Sequence, residues 1–109
     1  MNNRLENEAT LHPINEILPY LQETIGQKLT TYIIGSTKSD DYPTKIQYTY
    51  AVVQALENAF DSDTTKTWLL GTNTKLNEKS PASAIRNAKD LNEYRIIIQA
   101  AYDFAGVSN

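Results

Sequence analysis

The chain has 109 residues, with ten Lys and Arg against thirteen Asp and Glu and a formal net charge of −3. It contains no cysteine, which excludes disulfides and thiolate-bound zinc and suits a reducing compartment. The acidic balance offers little footing for nucleic acid, whose phosphates favour a basic face.

Residues 1–10 are polar, and no basic stretch leads into an apolar one. The longest apolar runs, Tyr32-Ile33-Ile34 and Ile96-Ile97-Ile98, fall well short of the roughly 20 apolar residues of a membrane span. The expectation is a cytoplasmic protein with neither leader nor span. Residues 1–11 lack periodicity and are expected to form a flexible arm.

Pro13 opens the first expected helix, with Ile14, Ile17, Leu18, Leu21 and Ile25 at steps of three and four. Pro19 fits if regular helix begins near Asn15 or Glu16, which leaves it in the first turn. Gly26 reads as a stop or a tight corner. A short helix over QKLTTYII follows, with Leu29, Tyr32 and Ile33 on one face and Gly35 as its end. Residues 36–43, STKSDDYP, read as a loop, and Pro43 biases Tyr42 away from helix.

The spacing predicts a third helix from about Thr44 to Phe60. Its stripe is Ile46, Tyr50, Val53, Leu56 and Phe60, with Gln47, Gln54 and Asn58 off it. Asp61-Ser62 marks a break and a new N-cap, with Asp61 and Asp63 complementing the helix dipole. The fourth helix runs through TTKTWLL to Gly71. Residues 72–79 form a loop whose Leu76 tucks into the core. Ser80-Pro81 is a helix start, with Ser as N-cap and Pro at the first helical position. The helix PASAIRN follows, and a last helix runs from about Asp90 to Ala105 and ends at Gly106. Its expected face is Leu91, Tyr94, Ile98, Ala101 and Ala105, flanked by Ile97 and Tyr102. The fold class expected is all-α, a single compact domain of about five or six short helices.

No residue pattern points to catalysis, a cofactor or a metal. His12 is the sole histidine and has no second His or Cys to share a site. Asp40-Asp41 lacks the alternating ligand spacing of a calcium loop, and Asp61/Asp63 is explained by capping. Neither a phosphate-cradling glycine motif nor a nucleophile elbow is present. Seven tyrosines are many for this length, and tyrosine is enriched at protein interfaces. Tyr42 in the loop and Tyr48 off the stripe are better interface candidates than Tyr50 or Tyr94. Trp68 reads as core.

The order of residues 61–105 is distinctive. Trp68-Leu69, Asn73, Leu76, Ser80-Pro81 and Ala84-Ile85 stand where a W(L/F)xxxNxxL segment precedes an (S/R)SPxE(A/L)(L/I) helix. This resembles the toxin-binding domain of the Xre/MbcA/ParS-like antitoxins over about half of the chain. Upstream, IGQKLTTYIIG looks like the opening of the helix-turn-helix region of such proteins, and AVVQALENAFD like their connecting helix. The resemblance implies a helix-turn-helix-like region over 12–60 and a toxin-binding region over 61–109. After Gly35 only STKSDDYP precedes the next helix, too little for a turn plus a recognition helix. The helix-turn-helix is therefore degenerate, and DNA binding is disfavoured. Ser83 also departs from the pattern, standing where many relatives carry a carboxylate.

The resemblance further implies a homodimer that neutralises a protein toxin from an adjacent gene, such as a RES-type enzyme that consumes NAD. The partner-binding positions it implies are Asn73, Ser80, Pro81 and Arg86, with Tyr102 and the tail through Asn109. Two alternatives stay open: a DNA-binding regulator of the same family, and a small helical scaffold or accessory binding protein.

Overall fold

Local capping chemistry divides this chain into helices. The computed structural model describes residues 13–107; the arm at 1–11, His12 and Asn109 lie outside them. Among the described residues there are six α-helices: α1 (Ile14–Ile25), α2 (Gln27–Ile34), α3 (Tyr42–Ala59), α4 (Ser62–Leu70), α5 (Pro81–Asn87) and α6 (Leu91–Ala105). A 3₁₀ turn, Thr74–Leu76, sits between α4 and α5.

Two starts follow the expected capping logic, and Asp90, expected only as the approximate start of the last helix, proves to cap it. The side chain of Asp61 accepts from the Thr64 N–H at 2.8 Å, Ser80 from Ser83 N–H at 3.1 Å and Asp90 from Glu93 N–H at 2.9 Å. Each satisfies one of the orphan amides of a helix N-terminus. The corner between α1 and α2 is the single residue Gly26, at φ 94, a backbone state that a side chain would strain.

Two boundaries differ from expectation. Pro19 lies inside α1 and not in its first turn. Pro19 costs the Asn15 carbonyl its intrahelical donor, and both residues lie on the exposed side of α1. Tyr42 is not a loop residue: it is the first residue of α3, 8 % exposed, with Pro43 beside it in the first turn. Proline is tolerated there because its missing N–H is already an orphan. Burial of the Tyr42 ring outweighs the extended bias that a following proline imposes.

Helices α3 and α6 pack against each other most extensively, and α1, α2, α4 and α5 close around them. Ile17, Leu21, Ile33, Ile46, Val53, Leu56, Leu69, Ile85 and Ala101 form one continuous core. Leu76 joins it from the 3₁₀ turn at 7 % exposure. The region before residue 60 and the region after it therefore share a core.

The buried faces of α3 and α6 are rotated from the expected stripes. Helix α3 buries Tyr42, Lys45, Ile46, Thr49, Val52, Val53, Ala55 and Leu56, an arc of about 180° at 100° per residue. It needs that width because all five other helices pack against it. Tyr50 is displaced to the rim, edge-on to Tyr20 at 5.4 Å. Helix α6 buries Tyr94, Ile97, Ala100 and Ala101, leaving Leu91 exposed and Ile98 half-buried. In α2 the buried residues are Thr30, Ile33 and Ile34, whereas Tyr32 is exposed.

Two buried polar residues staple helices together. The Lys45 ammonium donates to the Arg86 carbonyl at 2.6 Å and lies 3.7 Å from the Asp41 carboxylate. A cation there meets the negative end of α5. Thr65 donates to Glu57 at 2.6 Å and Ser62 to the other Glu57 oxygen at 3.1 Å. That pair ties the start of α4 to the last turns of α3.

Candidate partner-binding surface

The segment from Asn73 to Ser80 is a closed turn built on its own backbone. Asn73 and Lys79 form an antiparallel bridge, with the Asn73 N–H donating to the Lys79 carbonyl at 3.1 Å. The Asn73 side chain accepts from the Lys75 N–H at 2.9 Å and caps the 3₁₀ turn. Asn77 and Glu78 complete the turn at φ 59 and 66, a left-handed region that asparagine tolerates better than glutamate.

Sequence resemblance placed Asn73, Ser80, Pro81 and Arg86 at a binding surface, and each has a defined local contact. Asn73 caps the turn, Ser80 caps α5, and Pro81 is buried at the first position of α5. Arg86 donates to the Tyr32 carbonyl at 2.5 Å, with its guanidinium 4.7 Å from the centre of the Tyr32 ring. It thus joins α5 to α2 by a hydrogen bond and a cation–π contact. Asn73 and Ser80 lie at the two ends of the 73–80 turn, whereas Arg86 lies at the far end of α5 against α2. Tyr102 is half-buried on α6, and Asn109 is beyond the described residues.

Two tyrosines singled out for interfaces are engaged inside the molecule. Tyr42 is buried, and Tyr48 stacks on Tyr94 with ring centres 4.9 Å apart. Trp68 is only half-buried and stacks on Phe104 at 6.0 Å, while Phe104 also meets Phe60 at 5.0 Å.

Sequence periodicity did not mark the exposed apolar groups. Leu70, Leu91, Ile96, Phe104 and Val107 are all exposed, and all lie in the C-terminal half. The run Ile96-Ile97-Ile98 carried one signal: three consecutive helical residues sweep about 200°, too wide for one buried stripe. Ile97 takes the core, and Ile96 is left in solvent at 48 % exposure.

Two open grooves of about 240 Å³ each meet at Lys75. One lies between the 73–79 turn, α5 and α6, with Leu76, Ala84, Ala88, Ile96 and Ile97 among its lining residues. The other is bordered by Trp68, Phe104 and Asp103. Between them Lys75 bridges to Asp103 at 3.0 Å, and Gln99 donates to the other Asp103 oxygen at 3.0 Å. The hydrogen bonds from Lys75 and Gln99 hold the Asp103 carboxyl below its ordinary pKa. Asp61 is lowered in the same way by Thr64, and Asp41 by the Ser39 hydroxyl. All three remain ionised at neutral pH, so they serve as hydrogen-bond acceptors and not as proton donors. Among the described residues no three His, Cys, Asp or Glu side chains gather in a way that could hold a metal ion, and no helix is long and apolar enough to cross a membrane.

Comparison with family models, with curated proteins and with solved structures finds no match for this chain.

Proposed function

We propose that this chain is a partner-binding module of the toxin-neutralising kind that residues 61–105 resemble. One observation supports the reading most. The large exposed apolar side chains, Tyr32 excepted, fall within residues 70–107, while the same helices fill a complete core with their other faces. Contiguous apolar groups left partly in water mark a surface meant to be covered, and the rings of Phe60, Phe104 and Trp68 form such a group. Half-exposed Trp68 and Phe104, in ring contact, add the aromatic character of interface anchors.

On this reading the partner is a protein toxin encoded beside the chain, with a RES-type NAD-consuming enzyme as the first to test. Asn73, Ser80 and Pro81 shape the 73–81 segment, and the groups that touch the toxin are their exposed neighbours on the turn and on α6. The chain acts as a dimer and obstructs the toxin's active site.

The test is co-expression with the product of the adjacent gene, followed by affinity capture and size-exclusion chromatography. A complex of fixed stoichiometry that survives the column is expected. Separate elution of the two proteins would contradict the reading.

A further inference from the structure

The groove between the 73–79 turn, α5 and α6 has an apolar floor and a polar rim that carries two lysines. Leu76, Ala88 and Ile97 are each less than one-tenth exposed, and Ile96 stands beside them half in solvent. Lys75 and Lys79 lie along the side formed by the turn. Lys75 is engaged with Asp103. The Lys79 ammonium has no hydrogen-bond or ion-pair partner among the described residues. The acid on the opposite wall, Glu93, accepts from the backbone N–H of Lys89 at 2.5 Å and is turned to that contact.

Size and charge together narrow what fits. At about 240 Å³ the groove is smaller than the roughly 300–1,000 Å³ clefts that enclose drug-sized ligands. It suits one large apolar side chain presented by a longer chain. Of the residues that line the groove, Lys75 and Lys79 are cationic and Glu93 is anionic. With Lys75 paired to Asp103 and Glu93 accepting from the Lys89 N–H, the charge left unpaired at the groove is that of Lys79. That unpaired cation selects an anionic group on the partner, because complementary charge steers encounter and like charge suppresses wrong pairings.

We propose that this groove docks an acidic segment of a partner protein, with one apolar side chain seated on Ile96 and Ile97 and a neighbouring carboxylate on Lys79. The anchor supplies affinity by displacing water from the apolar floor, and the carboxylate sets register. This proposal rests on the partner-binding reading and names the chemistry of the segment bound.

The test pans a phage-displayed library of random 12-residue peptides against the full chain. Enriched peptides are synthesised and titrated against the wild type, Lys79→Glu and Ile96→Ser. Both substitutions fall on exposed side chains, and circular dichroism melts verify that the variants fold. The expected consensus is a Leu, Ile, Phe or Met with an Asp or Glu within four residues of it. Each variant is expected to weaken binding by about tenfold or more, with affinity falling as salt is raised. Enrichment of basic or acid-free peptides, no enrichment over the bare support, or titrations unmoved by both substitutions would overturn the proposal. A dimer of the free chain that Lys79→Glu dissociates would also overturn it, by making the groove a contact between copies. The two readings fail differently. Absence of a complex between the wild-type chain and the adjacent gene product sinks the toxin reading alone. A complex that both variants form as well as the wild type sinks the groove alone.

Discussion

Tyr94 is the residue whose energetics are most exposed to test. It is 3 % exposed, stacked on Tyr48, and its hydroxyl has no hydrogen-bond partner. Burial, reinforced by the negative charge of Asp41, pushes its pKa up to about 12. The folded state therefore holds the phenolic proton more tightly than the unfolded chain does. Stability is retained below pH 10 and is lost as the pH rises from about 10 towards 12. Tyr94→Phe removes a buried hydroxyl that lacks a partner, an arrangement that costs about 1–3 kcal/mol. The expected result is a denaturation midpoint equal to or above wild type and a shallower alkaline loss. A clear drop in midpoint would mean that the hydroxyl is satisfied in solution. Glu78 offers a second check at this scale, because its left-handed backbone costs about 1–2 kcal/mol for a residue with a Cβ. Glu78→Gly is expected to raise the melting temperature by a few degrees, whereas Glu78→Ala leaves it within about 0.5 kcal/mol of wild type.

The helices were legible in the sequence where a side chain caps them. Asp61 and Ser80 announce α4 and α5 as N-caps, Asp90 marks the start of α6, and each makes an N-cap hydrogen bond. Ser80→Ala and Asp90→Ala are each expected to cost about 0.5–2 kcal/mol in chemical denaturation, the usual worth of such caps. The end of α6 was equally legible. Gly106 sits at φ 78, and the Val107 N–H reaches back to the Tyr102 carbonyl at 2.9 Å, the bonding of a Schellman stop. Which face each helix buries was much less legible. A periodic stripe assumes a single packing partner, but α3 packs against five helices and buries Lys45 and Thr49 along with its aliphatics. The same limit displaced the face of α6 from Leu91 and Ile98 towards Ile97 and Ala100. Stability should follow the observed faces. Leu56→Ala, at a fully buried site, is expected to cost about 2–5 kcal/mol, and Ile98→Ala, half-buried, clearly less. Equal losses in urea melts would contradict the assigned orientation of α6.

At the scale of the whole molecule, the six described helices close on one core, so the segments before and after residue 60 are expected to unfold in a single transition. Asp41, Asp61 and Asp103 all titrate below the ordinary aspartate value of 3.8. Their contribution is present above that pH and fades as the pH falls below it, and it is modest because the charges are solvated. The surface was the least legible part of the candidate site. Sequence resemblance pointed to Asn73, Ser80 and Pro81, which hold the 73–81 segment in shape. The groups this shape presents, Lys79 and Ile96, carry no motif, because a docking surface is defined by what the fold leaves uncovered and not by residue spacing. The most direct test of the partner-binding reading is growth of cells expressing the adjacent gene product together with this chain. Wild-type chain is expected to restore growth, and Lys79→Glu and Ile96→Ser to restore it less at unchanged melting temperature. Growth arrest that the wild-type chain leaves untouched, or an adjacent product that arrests nothing, would contradict the account.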